Sequence, residues 1–247
     1  MYNPFSLEGK TILVTGASSG IGMATATECA KMGATIVAVG RNEGRLQETM
    51  KQLDGEGHLS FMVELTDHSA VEKMVAELPL LDGIVCAAGI GGTQLLQFAS
   101  VTDHKKMFET NYFSTIELVR LLYKSKKIKK GGSLVLLSSV AAGMTHDLGN
   151  GIYGASKAAL SAFVKYAAKE FAQRKVRINA LCPGMVETPI LRSMNLSEQQ
   201  RAEALQAYPL KRLGQPQEIA QAAVYLLSDS AAWITGSELV IDGGVTL

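Results

Sequence analysis

Tyr153 and Lys157, in the run Gly151-Ile152-Tyr153-Gly154-Ala155-Ser156-Lys157, stand four residues apart, so on a helix the phenol and the ammonium share one face. A free tyrosine, with a pKa of about 10, exchanges protons poorly at neutral pH. An adjacent ammonium favours the phenolate and brings the phenol toward the range where it can trade a proton with a carbonyl or alcohol oxygen. Ser139 precedes the pair and offers a hydroxyl, and a glycine-rich turn near the N-terminus offers a nucleotide site. Together they point to proton transfer beside a bound nucleotide. The pair alone also fits an ordinary helix surface, so the elements around it must decide.

The glycine-rich turn, Thr15-Gly16-Ala17-Ser18-Ser19-Gly20-Ile21-Gly22, follows a β-branched run and opens a helical pattern. Its glycines permit a tight turn and close approach of backbone to a pyrophosphate, and a helix N-terminus presents N–H groups to an anion. A second run ends at Val39-Gly40-Arg41-Asn42, where a cofactor with a free ribose 2′-hydroxyl would meet a carboxylate. There is no carboxylate at that tip. Arg41 suits a 2′-phosphate instead, which points to NADP(H), with Ser18 and Asn42 as further phosphate ligands.

Short β-branched runs alternate with longer helical patterns, as in βαβ units around a parallel sheet. The expected strands are Thr11–Val14, Thr35–Val39, Leu59–Val63, Gly83–Cys86, Ser133–Leu137, Arg177–Leu181 and Glu238–Ile241. The expected fold is α/β, a single Rossmann-type doubly wound domain over residues 1–247, with a seven-stranded parallel sheet flanked by helices. Ligands in such folds bind at the carboxyl ends of the strands.

Composition narrows the function classes. The chain has 247 residues, 47% of them hydrophobic, enough for a large single core. With 24 basic and 23 acidic residues the net charge is +1, which argues against nucleic-acid or membrane partners and for small molecules. Cys29, Cys86 and Cys182 are odd in number and sit in apolar surroundings, as unpaired thiols of a reducing compartment would. The N-terminal segment lacks an apolar targeting core and no apolar run is long enough to span a bilayer, so the expected location is cytoplasmic. His58, His68, His104 and His146 are scattered without metal-ligand spacing, so no metal is expected.

These motifs, taken together, resemble the short-chain dehydrogenase/reductase family over nearly every segment. Thr15 to Gly22 is similar to the family's cofactor motif and Tyr153-Gly-Ala-Ser-Lys157 to its catalytic motif. Asn111, in Glu109-Thr110-Asn111-Tyr112, falls where the family has a helix asparagine that helps hold the lysine and a water chain. Ser139 falls at the substrate-orienting serine and is preferred to Ser138, because Ser139-Val-Ala-Ala resembles the family's usual sequence there. The resemblance thus implies a catalytic set of Asn111, Ser139, Tyr153 and Lys157, with Lys157 also binding the nicotinamide ribose. For the cofactor it implies Gly16, Ser19, Gly20, Ile21 and Gly22 under the pyrophosphate, and Glu64 and Leu65 at adenine, where the family usually has Asp before the apolar residue. It also implies Ala88 and Gly89 beside the adenine ribose. Pro183, Gly184, Val186 and Thr188 would lie under the nicotinamide, the Val186 backbone gripping the carboxamide. Cys86-Ala87 stands where the family commonly has two asparagines.

The segment at about 188–212 resembles the short substrate helices of β-ketoacyl-acyl carrier protein reductases and is expected to form a small lid. Those reductases dock an acidic carrier protein through basic residues, and Lys129, Lys130 and Arg174 stand at or near the matching places. Five lysines between Lys124 and Lys130 would steer such a partner, or simply form a solvated helix end. Relatives with the same motifs reduce small ketones, sugars or steroids, and a cofactor-sensing regulator that binds NADP without turnover is the alternative from another class. The resemblance further implies a homotetramer built on the helices around Asn111 and Tyr153 and on the C-terminal segment. The run Leu160–Val164 is a candidate for its face, or else core.

Overall fold

A computed structural model describes residues 2–193 and 197–247. Seven strands, β1 (Thr11–Thr15), β2 (Thr35–Gly40), β3 (Leu59–Met62), β4 (Leu81–Cys86), β5 (Ile128–Leu137), β6 (Arg177–Pro183) and β7 (Glu238–Ile241), form one sheet in the order β3-β2-β1-β4-β5-β6-β7. Every pairing is parallel. The helices are α1 (Gly20–Lys31), α2 (Glu43–Met50), α3 (His68–Glu77), α4 (Val101–Phe108), α5 (Ser114–Lys124), α6 (Gly151–Phe171), α7 (Pro189–Ser193), α8 (Glu198–Ala207) and α9 (Pro216–Leu227). The expected seven-stranded parallel sheet is therefore present, with strand limits within a residue or two except at the start of β5. β4 and β5 start earlier than expected because Leu81 pairs with Ile128 across an irregularity before Gly83.

The central strands are apolar throughout because both faces of the sheet are covered. Leu13, Ile84, Leu134 and Ile178 pack beneath α3, α5 and α6 with Val71, Met74, Leu118, Leu160 and Val164. Their neighbours Ile12, Val14, Val85, Val135 and Leu181 pack on the other face against α1 and α9, with Ala26, Cys29, Ile219, Ala223 and Leu227. This alternation is the period-two geometry of strands. At α9, Pro216 occupies the first turn and the Glu218 carboxylate accepts the Gln215 N–H at 2.7 Å, which fixes where the helix starts.

Two points that the sequence leaves open are decided by the structure. Leu160 and Val164 are core, 2% and 0% exposed, so the outward face of α6 is formed instead by Ala162, Lys165, Tyr166 and Lys169. The lysines between Lys124 and Lys130 are not one solvated helix end, because α5 stops at Lys124 and β5 begins at Ile128. Lys127 donates to the carbonyls of Ala76 and Leu78, Lys129 pairs with Asp82 at 2.8 Å, and Arg174 donates to the Ile128 carbonyl at 2.7 Å while lying over the Tyr123 ring. Lys124, Lys126 and Lys130 are exposed.

Candidate active site

The strand order reverses direction between β1 and β4, and the site gathers at the carboxyl ends of these strands and of β5 and β6. Gly16, at φ +67°, turns the chain out of β1, and a Cβ there would come within 2.9 Å of the Ala88 nitrogen. At Gly22 a Cβ would meet the Gly16 carbonyl oxygen at 2.3 Å, so the start of α1 lies against the turn as only glycine allows. The Thr15 hydroxyl accepts the N–H groups of Ala87 and Ala88 at 3.1 and 3.2 Å and ties the ends of β1 and β4 together. Sequence reading gave Thr15 no separate role, although its place at the strand end was visible.

Ser19 is the N-cap of α1, yet its side chain makes no capping bond, so no side chain covers the N–H groups of the first turn. Gly20, at φ +55°, faces the Thr188 side chain, which a Cβ built there would meet at 3.4 Å, so the loop after β6 lies over the glycine turn. A backbone-lined hollow, a free helix N-terminus and a cationic tip beyond β2 are the features a dinucleotide phosphate chain requires, so these residues fit such a cofactor. Ile21 packs partly buried at the edge of the core, and Ser18 lies against Gly40, 3.2 Å from a Cβ built there.

Arg41 extends beyond β2 and pairs with Glu64 at 3.4 Å, both side chains well exposed. Glu64 thus faces Arg41 as well as accepting the Thr66 N–H, while Leu65 is buried in the core. The Asn42 side chain accepts the Arg45 N–H at 2.9 Å and caps α2, so its oxygen is already committed.

A π-helical turn, Glu109–Phe113, between α4 and α5 carries Asn111. Such a turn widens the helix and commonly marks a functional position. Asn111 is fully buried; its Oδ1 accepts the Ile90 N–H at 2.8 Å and its Nδ2 donates to the Ile90 carbonyl and to Ser156 Oγ at 3.0 and 3.1 Å. Ser156 in turn donates to the Tyr153 carbonyl at 2.7 Å, so Asn111 links the loop after β4 to α6. Gly89 lies between Asn111 and Lys157, with a Cβ there 3.1 Å from Asn111 Oδ1 and 3.6 Å from Lys157 Nζ.

The two serines after β5 part company. Ser138 donates to the Lys157 carbonyl at 3.1 Å and pairs with Ser161 at 2.9 Å, holding α6 to the sheet. The Ser139 hydroxyl accepts the Ala141 N–H at 3.2 Å and lies near enough to the Tyr153 phenol to act on its proton. Burial pushes the Tyr153 phenol up and the neighbouring Ser139 hydroxyl opposes this. Lys157 is itself buried, which lowers its ammonium to about 8, and its Nζ donates to the Leu137 carbonyl at 2.7 Å, 5.9 Å from the Tyr153 ring centre. The ammonium is therefore turned to the end of β5, and the expected lowering of the phenol by Lys157 is absent from this arrangement. Burial holds Cys86 as a thiol, pushed up to about 12.

The loop after β6 is fixed on both sides. Pro183 ends β6, the Gly184 N–H donates to the Ile241 carbonyl at 3.0 Å, Val186 bridges to Gly214, and the Thr188 hydroxyl donates to the Val186 carbonyl at 3.2 Å. Beyond it lie α7 and α8, where α8 has no buried residue and an Arg201–Glu187 ion pair ties it back to the loop. The part of the expected lid at 194–196 lies outside the described residues. Among the described residues no group of His, Cys, Asp or Glu could hold a metal, and no helix is long and apolar enough to cross a membrane.

Comparison with known proteins agrees with this geometry. A family model described as enoyl-(acyl carrier protein) reductase matches residues 16–246. The 3-oxoacyl-(acyl-carrier-protein) reductase FabG of Escherichia coli K12 is 37% identical over 244 residues, covering 97% of this chain and 98% of its own. The FabG of Thermotoga maritima is 35% identical over 247 residues, covering 98% and 99%. A solved structure titled as a short chain dehydrogenase/reductase family protein superposes with a TM-score of 0.87 at 35% identity, covering 97% of this chain and 98% of that one. The chain belongs to the short-chain dehydrogenase/reductase family. It is an oxidoreductase acting on CH–OH groups with a nicotinamide cofactor.

Proposed function

We propose that this chain is an NADPH-dependent cytoplasmic reductase that converts the ketone of a 3-oxoacyl thioester, carried on acyl carrier protein for fatty acid synthesis, into a secondary alcohol. The full-length similarity to two such reductases carries the substrate assignment. Gly16, Ser19, Gly20, Ile21 and Gly22 hold the pyrophosphate, and Arg41 with Ser18 and Asn42 holds the 2′-phosphate. Glu64 and Leu65 meet adenine, Ala88 and Gly89 its ribose, and Pro183, Gly184, Val186 and Thr188 the nicotinamide side. When bound, the nicotinamide supplies the hydride. Ser139, beside the Tyr153 phenol, orients the ketone oxygen and Tyr153 gives it a proton. A phenol raised by burial stays protonated at neutral pH, as a proton donor in the reductive direction must. Lys157 holds the ribose hydroxyls, and Asn111 keeps the loop after β4 against α6 and supports the route by which Tyr153 is reprotonated.

The outward face of α6 carries a groove of about 510 Å³ lined by residues including Ala158, Ala162, Lys165 and Tyr166, away from Tyr153. It suits a second copy of the chain, and β7, at the sheet edge, suits another, which supports a homotetramer. For an acidic carrier protein, Lys124, Lys126 and Lys130 are the exposed cations beside β5. Lys129 and Arg174 act there through their structural contacts.

The test is NADPH oxidation with acetoacetyl-acyl carrier protein, beside NADH, crotonoyl-acyl carrier protein, free ketones and sugars. Turnover of the acetoacetyl carrier with NADPH is expected. Turnover of the crotonoyl carrier alone moves the reading to a double-bond reductase. Turnover only of a free ketone or sugar removes the carrier and leaves a small-carbonyl reductase, and binding without any turnover favours a sensing regulator.

A further inference from the structure

Tyr208, 4% exposed, sits where the end of α8 meets the loop after β6. Its hydroxyl accepts the Met185 N–H at 2.7 Å. That oxygen would lie 3.1 Å from a Cβ on Gly184, and its ring 3.2 Å from a Cβ on Gly243, so two glycines make room for the side chain. Burial, with Asp147 and Asp242 nearby, keeps the phenol protonated. Tyr208 is also the C-cap of α8, its own N–H bonding the Leu205 carbonyl. One side chain thereby joins the end of α8, the loop after β6 and the turn that follows β7.

The neighbouring main-chain groups of that loop are already paired. Met185 accepts the Gly214 N–H at 3.0 Å and the Glu187 N–H donates to the Gly214 carbonyl at 2.9 Å, so the loop is stitched to Gly214 on one side. The Met185 N–H, one residue before Val186, has Tyr208 as its partner. A phenylalanine would fill the same space and leave that N–H without its acceptor.

We infer that Tyr208 is a positioning residue for the nicotinamide end of the cofactor: by accepting the Met185 N–H it fixes the main chain at Val186 in the setting that grips the carboxamide. The inference rests on the proposed cofactor reading. It also predicts which half of the cofactor feels the change, because the 2′-phosphate subsite at Arg41 lies beyond β2 and shares no contact with Tyr208.

The experiment measures binding of NADPH and of adenosine 2′,5′-bisphosphate, which has the 2′-phosphate but no nicotinamide, to wild type and to Tyr208→Phe, by calorimetry. The variant is expected to weaken NADPH about tenfold, the loss of one buried hydrogen bond, and to leave the bisphosphate within about twofold. Thermal melting of both proteins reports whether the variant is folded. Equal weakening of the two ligands would show a general structural role and overturn the inference, as would unchanged NADPH affinity. If wild type binds neither ligand, the cofactor reading itself fails and takes this inference with it. If wild type binds both and the variant does not separate them, only the inference falls.

Discussion

Burial keeps the Tyr153 phenol protonated and at the same time weakens the hold of Lys157 on its own proton, lowering it to about 8. Two consequences follow for single residues. Tyr153→Phe removes the proton donor while leaving the glycine turn and Arg41 untouched. Its kcat should fall by about three orders of magnitude while its NADPH affinity stays within about twofold, as read by steady-state assay and fluorescence titration. The charge on Lys157 is present below about 8 and lost above it, so kcat/KM for reduction should fall as pH rises through that value. In Lys157→Arg the guanidinium keeps its charge across this range, and the residual activity should lack that limb of the profile.

At the scale of elements, the site depends on two departures from regular geometry. The π-helical turn at Glu109–Phe113 turns Asn111 inward to the Ile90 backbone and Ser156. The junction of β1 with α1 is so close that Gly22 admits no side chain. Gly22→Ala should cost about 3 kcal/mol of stability in urea unfolding and abolish measurable NADPH binding, because either the helix or the Gly16 carbonyl must move. Unchanged stability would show that the turn relaxes freely. The motif's position after a strand was legible from the sequence, since glycine spacing and the strand-to-helix change of period are local. The π turn was not, because its hydrogen bonds form only when Asn111 finds partners in the loop after β4.

For the molecule as a whole, three buried thiols set the alkaline limit. Burial raises Cys29, Cys86 and Cys182, with Cys86 going from its usual 9.0 to about 12. Above about 9 the unfolded thiols lose protons that the folded ones keep, so the stability they contribute is lost as pH rises. Lys157 acts oppositely, since its folded value near 8 lies below the unfolded 10.5 and stability gains with pH between them. Three thiols outweigh one lysine above pH 9, so the urea midpoint should fall from pH 9 to pH 10.5, and the fall should be shallower in Cys29→Ala. A slope of the opposite sign would mean the thiols are not buried as described. Assembly is the second prediction at this scale. Tyr166 is 72% exposed on the outer face of α6, and Tyr166→Glu should lower the mass seen by light scattering without unfolding the chain.

The sequence by itself determined the doubly wound sheet, the glycine turn and the likeness of its motifs to one family, because strand period, turn chemistry and motif spacing are written in neighbouring residues. It also put Ser139 ahead of Ser138, though only by resemblance. The tertiary structure decided what each side chain is free to do. Ser138 is held by Ser161, Lys157 by the Leu137 carbonyl, Asn42 by the start of α2, and Arg174 by Ile128 and Tyr123. It also brought Tyr208 to Met185 across 23 residues. Such pairings depend on which strand ends the fold brings side by side, and no local pattern encodes them.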